Sequence, residues 1–229
     1  MDDHAPATIA AESSSTPRVA RWAGVLGVVI PAVGIAVYPI WSCPATATSG
    51  AEVARWAAAH HDRLVATQVL YTVGVACWFV FSAAVWTYLR HRLPAGSTLA
   101  AVFAVGFVGV VTLILSGFTA FNLLLYRPRG AELTTLLYDL TVGLLAMSGI
   151  PTAVALGSFA IAVYRYRVLP RPTAHLAVVA ATAHVVLLAA FIAPDGPLSL
   201  EGFLVIWGIP FLLFAWIMQT AQAMRREAQ

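Results

Sequence analysis

Lysine is missing from this chain, and charge of either sign is scarce. All 13 basic residues are arginine, and charged residues make up only 10% of the 229. A water-soluble domain carries about 25% charge, so a solvated globular surface is excluded. The lysine-free, alanine- and valine-rich composition fits a GC-rich bacterial genome, which is a matter of codons and not of mechanism. The arginines gather at the ends of apolar runs, where membrane orientation accounts for them. The net charge of +3 therefore does not imply nucleic acid as a partner. Cysteine is nearly absent too. Cys43 falls at the end of one apolar run and Cys77 near the middle of the next, depths that no bridge could join, so both are expected as free packing residues. Phosphate-cradling loops, metal-ligand spacings and nucleophile motifs are missing as well. No catalytic residue, metal or cofactor is expected.

What is present is apolar. Hydrophobic residues reach 60% and the mean hydropathy is +0.83, which identifies an integral membrane protein. Six apolar runs of spanning length follow one another: Arg18–Trp41, Leu64–Tyr88, Ser97–Leu125, Glu132–Arg167, Thr173–Ala193 and Gly202–Gln222. The first is longer than a signal-peptide core of about 7–15 residues. Before it, residues 1–17 are small, polar and aperiodic and are expected to form a disordered cytoplasmic tail. Between the first two spans, Ser49-Gly50-Ala51-Glu52 is a capping-box pattern. Val53, Trp56, Ala57 and His60 then recur on one helical face, which predicts a short amphipathic helix at the outer interface. The expected fold is all-α, a polytopic bundle of six transmembrane spans over residues 18–229.

Orientation follows from arginine. With the N-terminus inside, Arg18, Arg21, Arg90, Arg92, Arg165, Arg167, Arg171, Arg225 and Arg226 are cytoplasmic, leaving Arg55, Arg63, Arg127 and Arg129 outside. The bias predicts a multi-pass protein of the cell membrane with both termini cytoplasmic.

Polar residues inside the spans are the functional candidates, because each must repay its insertion cost. Asp139 lies in the outer part of the fourth span. Gly143, Ala146, Ile150, Ala153 and Gly157 follow it on one small-residue face, where a neighbouring helix is expected to pack, so Asp139 is expected to point into the bundle. His184 enters at comparable depth on the fifth span, and the short turn between these spans would let the two meet. Gln68 and Tyr71 on the second span and Asn122 on the third complete a candidate ligand-binding set. Pro31, Pro151 and Pro210 fall near mid-span, and each releases the carbonyl four residues earlier, at Gly27, Met147 and Ile206.

Three stretches also resemble a known group: Ala54-Arg55-Trp56 through Asp62-Arg63-Leu64, Leu137-Tyr138-Asp139-Leu140 running into Gly149-Ile150-Pro151 and on to Gly157, and Gly196-Pro197-Leu198-Ser199-Leu200-Glu201-Gly202. They resemble uncharacterised six-span bacterial membrane proteins of actinobacterial type that carry a domain of unknown function. The resemblance implies a fold and no activity. The first functional expectation is a non-enzymatic protein that binds a small molecule or lipid, or assists a transport complex, through an outer polar cavity around Asp139. The partners then expected are the lipid bilayer, such a ligand and a membrane-protein partner. Alternatives are a membrane enzyme using Asp139 and His184 as acid and base, with Glu201, or a purely structural assembly subunit.

Overall fold

Apolar runs bounded by basic turns and Pro-Gly punctuation leave helices as the only elements able to satisfy their own backbone in lipid. A computed structural model of the chain describes residues 5–193, 196–200 and 202–227. It contains α1 (Ala5–Val37), α2 (Gly50–Ala59), α3 (His61–Arg92), α4 (Leu99–Tyr126), α5 (Ala131–Met147), α6 (Gly149–Tyr166), α7 (Arg171–Val186) and α8 (Ile209–Arg226), with no strand among the described residues. Among the described residues, five segments are long and apolar enough to cross a membrane: Thr16–Val37, His61–Arg92, Leu99–Tyr126, Ala131–Tyr166 and Arg171–Phe191. Their outward faces are apolar. On α1, Val19, Trp22, Leu26, Val29 and Val33 repeat at helical spacing and are all exposed. A soluble protein does not leave such stripes uncovered, so this is a membrane-embedded protein.

The helices close into a ring. α1 packs on α3, α3 on α4, α4 on the α5–α6 pair, α6 on α7, α7 on α8, and α8 back on α1. Each is antiparallel to the next, so Arg18, Arg21, Arg90, Arg92, Arg165, Arg167, Arg171, Arg225 and Arg226 all collect at one end, here the basic end. Several of them lie over aromatic rings: Arg21 over Trp22, Arg90 over Trp86, Arg92 over Tyr88 and Arg165 over Tyr166, at 5.1 to 5.6 Å. The opposite end carries α2 and is here the lid end.

Toward the basic end the ring is filled by interlocked aromatics. Phe81, Phe103, Phe107 and Phe159 surround Trp216, which is 0% exposed, with ring centroids 5.1 to 6.2 Å from its own. Close approach around this core is built from small residues. A Cβ on Gly106 would lie 2.9 Å from the Ala155 amide nitrogen, so only glycine lets α4 and α6 meet there. The Tyr88 hydroxyl then ties α3 to the α6–α7 turn by donating to the Val168 carbonyl at 2.9 Å.

Three expectations are revised. The first helix begins at Ala5, inside the stretch expected to be disordered, because alanines at 5, 7, 10 and 11 let the span propagate backwards; Met1–His4 lie outside the described residues. The α2 helix forms with Ser49 as N-cap, and Val53, Trp56 and Ala57 are buried as the spacing predicted. That face, however, is spent on protein, packed with Leu64, Phe121, Leu124 and Tyr138. The last apolar run does not start as an ordinary helix: residues Leu204–Gly208 form a π-turn before α8.

Candidate ligand-binding site

Three prolines interrupt the ring, and irregular backbone beside each of them faces the same place. Pro31 in α1 cannot donate to the Gly27 carbonyl; the indole nitrogen of Trp78 on α3 does so instead, at 2.6 Å. Ahead of Pro151 the α5–α6 helix breaks at Ser148. There the Ser148 hydroxyl donates to the Leu145 carbonyl at 2.6 Å and the Thr152 hydroxyl to the Ser148 carbonyl at 2.7 Å. Before Pro210 the chain widens, so that the Ile209 amide reaches back to the Leu204 carbonyl, five residues away. A fourth irregularity, the 3-10 turn Leu187–Phe191, ends α7. Pro31, Ser148, Thr152, Leu187, Val205 and Pro210 all line one cavity of about 400 Å³ in the lid half of the ring. The irregular backbone is thus gathered around this space.

Most of the wall is aromatic and aliphatic, including Trp78, Phe118, Phe121 and Phe214. Polar side chains are few: Tyr38, Cys43, Thr46, Gln68, Tyr71, Tyr138, Thr141, Ser148, Thr152 and His184, with the indoles of Trp78 and Trp207. Among the described residues, none that line it is an arginine, aspartate or glutamate. Gln68 is 6% exposed, and its Oε1 has no hydrogen-bond partner. His184 is 4% exposed, and its Nδ1 is 2.7 Å from the Ala180 carbonyl. A carbonyl only accepts, so Nδ1 carries the proton, and in the neutral ring Nε2 is left with a lone pair. Tyr71 stacks on Phe118 with centroids 5.6 Å apart.

Over the cavity lies a lid made by the α1–α2 connection. The Tyr138 hydroxyl donates to the Pro44 carbonyl at 2.7 Å, and Cys43 Sγ lies 3.3 Å from both the Tyr38 and the Tyr138 hydroxyls. The Trp56 indole donates to Ser42 Oγ at 3.2 Å and joins α2 to the same connection. Burial first, then neighbouring Cys43 and Tyr138, push the Tyr38 phenol well above its ordinary value, so it stays protonated at physiological pH. Both cysteines are free.

The candidate set is therefore divided. Gln68, Tyr71 and His184 line the cavity, whereas Asn122 and Asp139 are exposed and do not. The expectation that Asp139 points inward is not met. The buried stripe of α5 is Thr134, Leu137, Tyr138 and Thr141, and Asp139, next to Tyr138, points about 100° away from it. Asp139 is nonetheless held by an interaction of its own. The insertion cost that argued for burial is relieved by length. Ala131–Tyr166 has 36 residues, about 54 Å of helix against about 30 Å of hydrocarbon. Asp139, about 12 Å from its start, can sit at headgroup level. Glu201 lies outside the described residues. Residues that sequence reasoning passed over as cavity walls are Tyr138, Tyr38 and Trp78, whereas Ser148 belongs to the break that the sequence marks at Ser148-Gly149-Ile150-Pro151. The only advance signal was for Trp78, since a carbonyl released by Pro31 demands a donor from a neighbouring span.

Comparison with known protein families, curated proteins and solved structures finds no match. The cavity thus has to be interpreted from its own chemistry.

Proposed function

We propose that the chain is a six-pass protein of the cell membrane, with both termini cytoplasmic, that binds a small apolar or lipid molecule in the cavity beneath its lid. In this reading the π-turn and α8 together make the sixth crossing. The lid, with α2, lies at the outer surface. The arginine bias between the two ends supports that orientation. The observation that carries the binding function is the cavity itself, about 400 Å³, walled mostly by apolar groups and bordered by four helix irregularities. Sites for small ligands have this size and make-up, with a few polar groups that orient the guest.

The alternative of an enzyme pairing Asp139 with His184 has less support, since Asp139 is exposed and does not line the cavity with His184. A purely structural role leaves the cavity without a purpose, at a cost in packing that a dense core avoids.

The test is native mass spectrometry of the protein released gently from detergent, beside Val142→Phe, which adds bulk at a half-buried wall position. The expected result is a stoichiometric adduct of a few hundred daltons on the wild type, on the order of what a drug-sized pocket holds, and its loss from the variant. Adduct-free wild type, or equal adducts on both, would overturn the proposal.

A further inference from the structure

At the basic end, far from the cavity, the end of α3 and the α6–α7 turn form one surface. The Tyr88 hydroxyl reaches the Val168 carbonyl at 2.9 Å, and the Arg92 guanidinium lies 5.1 Å over the Tyr88 ring, so Arg92 and the turn residue Arg167 share a patch. Arg90 and Arg165 stand over Trp86 and Tyr166 beside it. Aromatic rings of this kind mark headgroup depth in a membrane. All four arginines are exposed, and among the described residues Arg92 alone of them has an acidic partner, Glu227 at 4.0 Å. The backbone of Arg167 is unusual. It closes α6 at a φ of 53°, a left-handed conformation that glycine enters freely and other residues enter at a cost. No other non-glycine among the described residues has a positive φ. Its side chain repays that cost nowhere within the described chain, since it is exposed and makes no ion pair there. The charge is directed outward.

We infer that this surface is a docking site for an anionic phospholipid, whose head is received at the α6–α7 turn with Arg167 as its specificity-determining residue. Charge complementarity selects the head, because guanidinium groups at headgroup depth pair with phosphate oxygens through charge-assisted hydrogen bonds. Each basic residue near an anionic lipid surface strengthens binding about fivefold. The acyl chains have a track as well. Ile150, Val154 and Ile161 form an exposed stripe of α6 at helical spacing, and Arg165, four residues past Ile161, stands at its head.

The experiment uses the full chain in a maltoside detergent with two probes that differ in head charge alone, dioleoyl phosphatidylglycerol and dioleoyl phosphatidylcholine. Binding is read by native mass spectrometry. The anionic lipid is expected to bind at least about tenfold more tightly, and Arg167→Gly to cut that preference about fivefold. Arg127→Ala, an exposed arginine of the lid end, should change it less than about twofold. Arg167→Asn, which also tolerates the left-handed backbone, is the second variant. Thermal unfolding without lipid separates this role from a structural one. Arg167→Gly relieves the backbone cost, so its midpoint should match or exceed that of the wild type. Equal binding of the two lipids overturns the inference. So does a preference that survives both Arg167 variants, a loss as large in Arg127→Ala, or a lowered midpoint in Arg167→Gly, which would mean that the side chain serves the fold.

Discussion

The two halves of this bundle use the same six-membered ring for opposite ends. Toward the basic end the interior is a solid cluster in which Phe159 and Trp216 meet edge to face at 5.1 Å. Toward the lid end the same ring encloses empty space. The difference is not in composition, since both halves are rich in aromatics. It lies in the backbone: the filled half is bounded by unbroken helix, and the hollow half by Pro31, the Ser148 break, the π-turn and the 3-10 turn. Prolines and irregular backbone are thus gathered where this fold is not close-packed.

The contrast can be broken most directly at its dense side. Phe159→Ala removes a fully buried ring, and a loss of about 3–5 kcal/mol is expected. Phe118→Ala, on the cavity wall, should cost less than half as much, because part of its surface already faces a void. Thermal unfolding in detergent compares the two. Equal losses would mean that the hollow half is packed in solution.

Overpacking is the next largest lever. Gly106→Leu drives a side chain into the backbone of α6 and should cost about 1–3 kcal/mol. Unfolding midpoints check this against Gly157→Leu, where nothing lies within 4 Å of an added Cβ and little change is expected.

The proline repairs give a smaller and sharper test. Trp78→Phe leaves the Gly27 carbonyl unpaired, at about 1–3 kcal/mol. Pro31→Ala restores a backbone donor for that carbonyl, so the double variant should recover most of the loss. A double-mutant cycle that shows plain additivity would mean that Trp78 serves packing alone.

Much of this was legible in the chain. Apolar runs, basic turns and the three prolines announced the helices and where their ladders would fail, and the amphipathic spacing of α2 named its buried face. Gln68, Tyr71 and His184 were found because polar side chains in apolar spans are rare. Asp139 misled for a physical reason. On a helix, adjacent residues diverge by about 100°, and the small-residue face that pointed toward packing packs only in part, with Ala146 buried and Ile150 exposed. Tyr138 occupies the inward position instead. The lid was hidden for another reason: its contacts join Cys43 and Pro44 to Tyr138, residues more than 90 apart, and no local pattern encodes such a pairing.

The smallest expected effect belongs to that lid. Tyr38→Phe removes a phenol whose folded value is raised, so its stabilising contribution is complete below the ordinary value near 10 and is lost as pH rises through the raised one. The change in unfolding midpoint, worth about 0.5–1.5 kcal/mol, should therefore be the same at pH 6 and pH 9.

The central claim, that the lid half of the ring is a site kept open for a guest, is tested most directly by an experimental density map of the protein in a lipid nanodisc. The account predicts elongated non-protein density between Gln68, Tyr71 and His184 beneath Pro44 and Tyr138, absent from Val142→Phe. Helices closed upon one another there, with side chains filling the space and no such density, would contradict it.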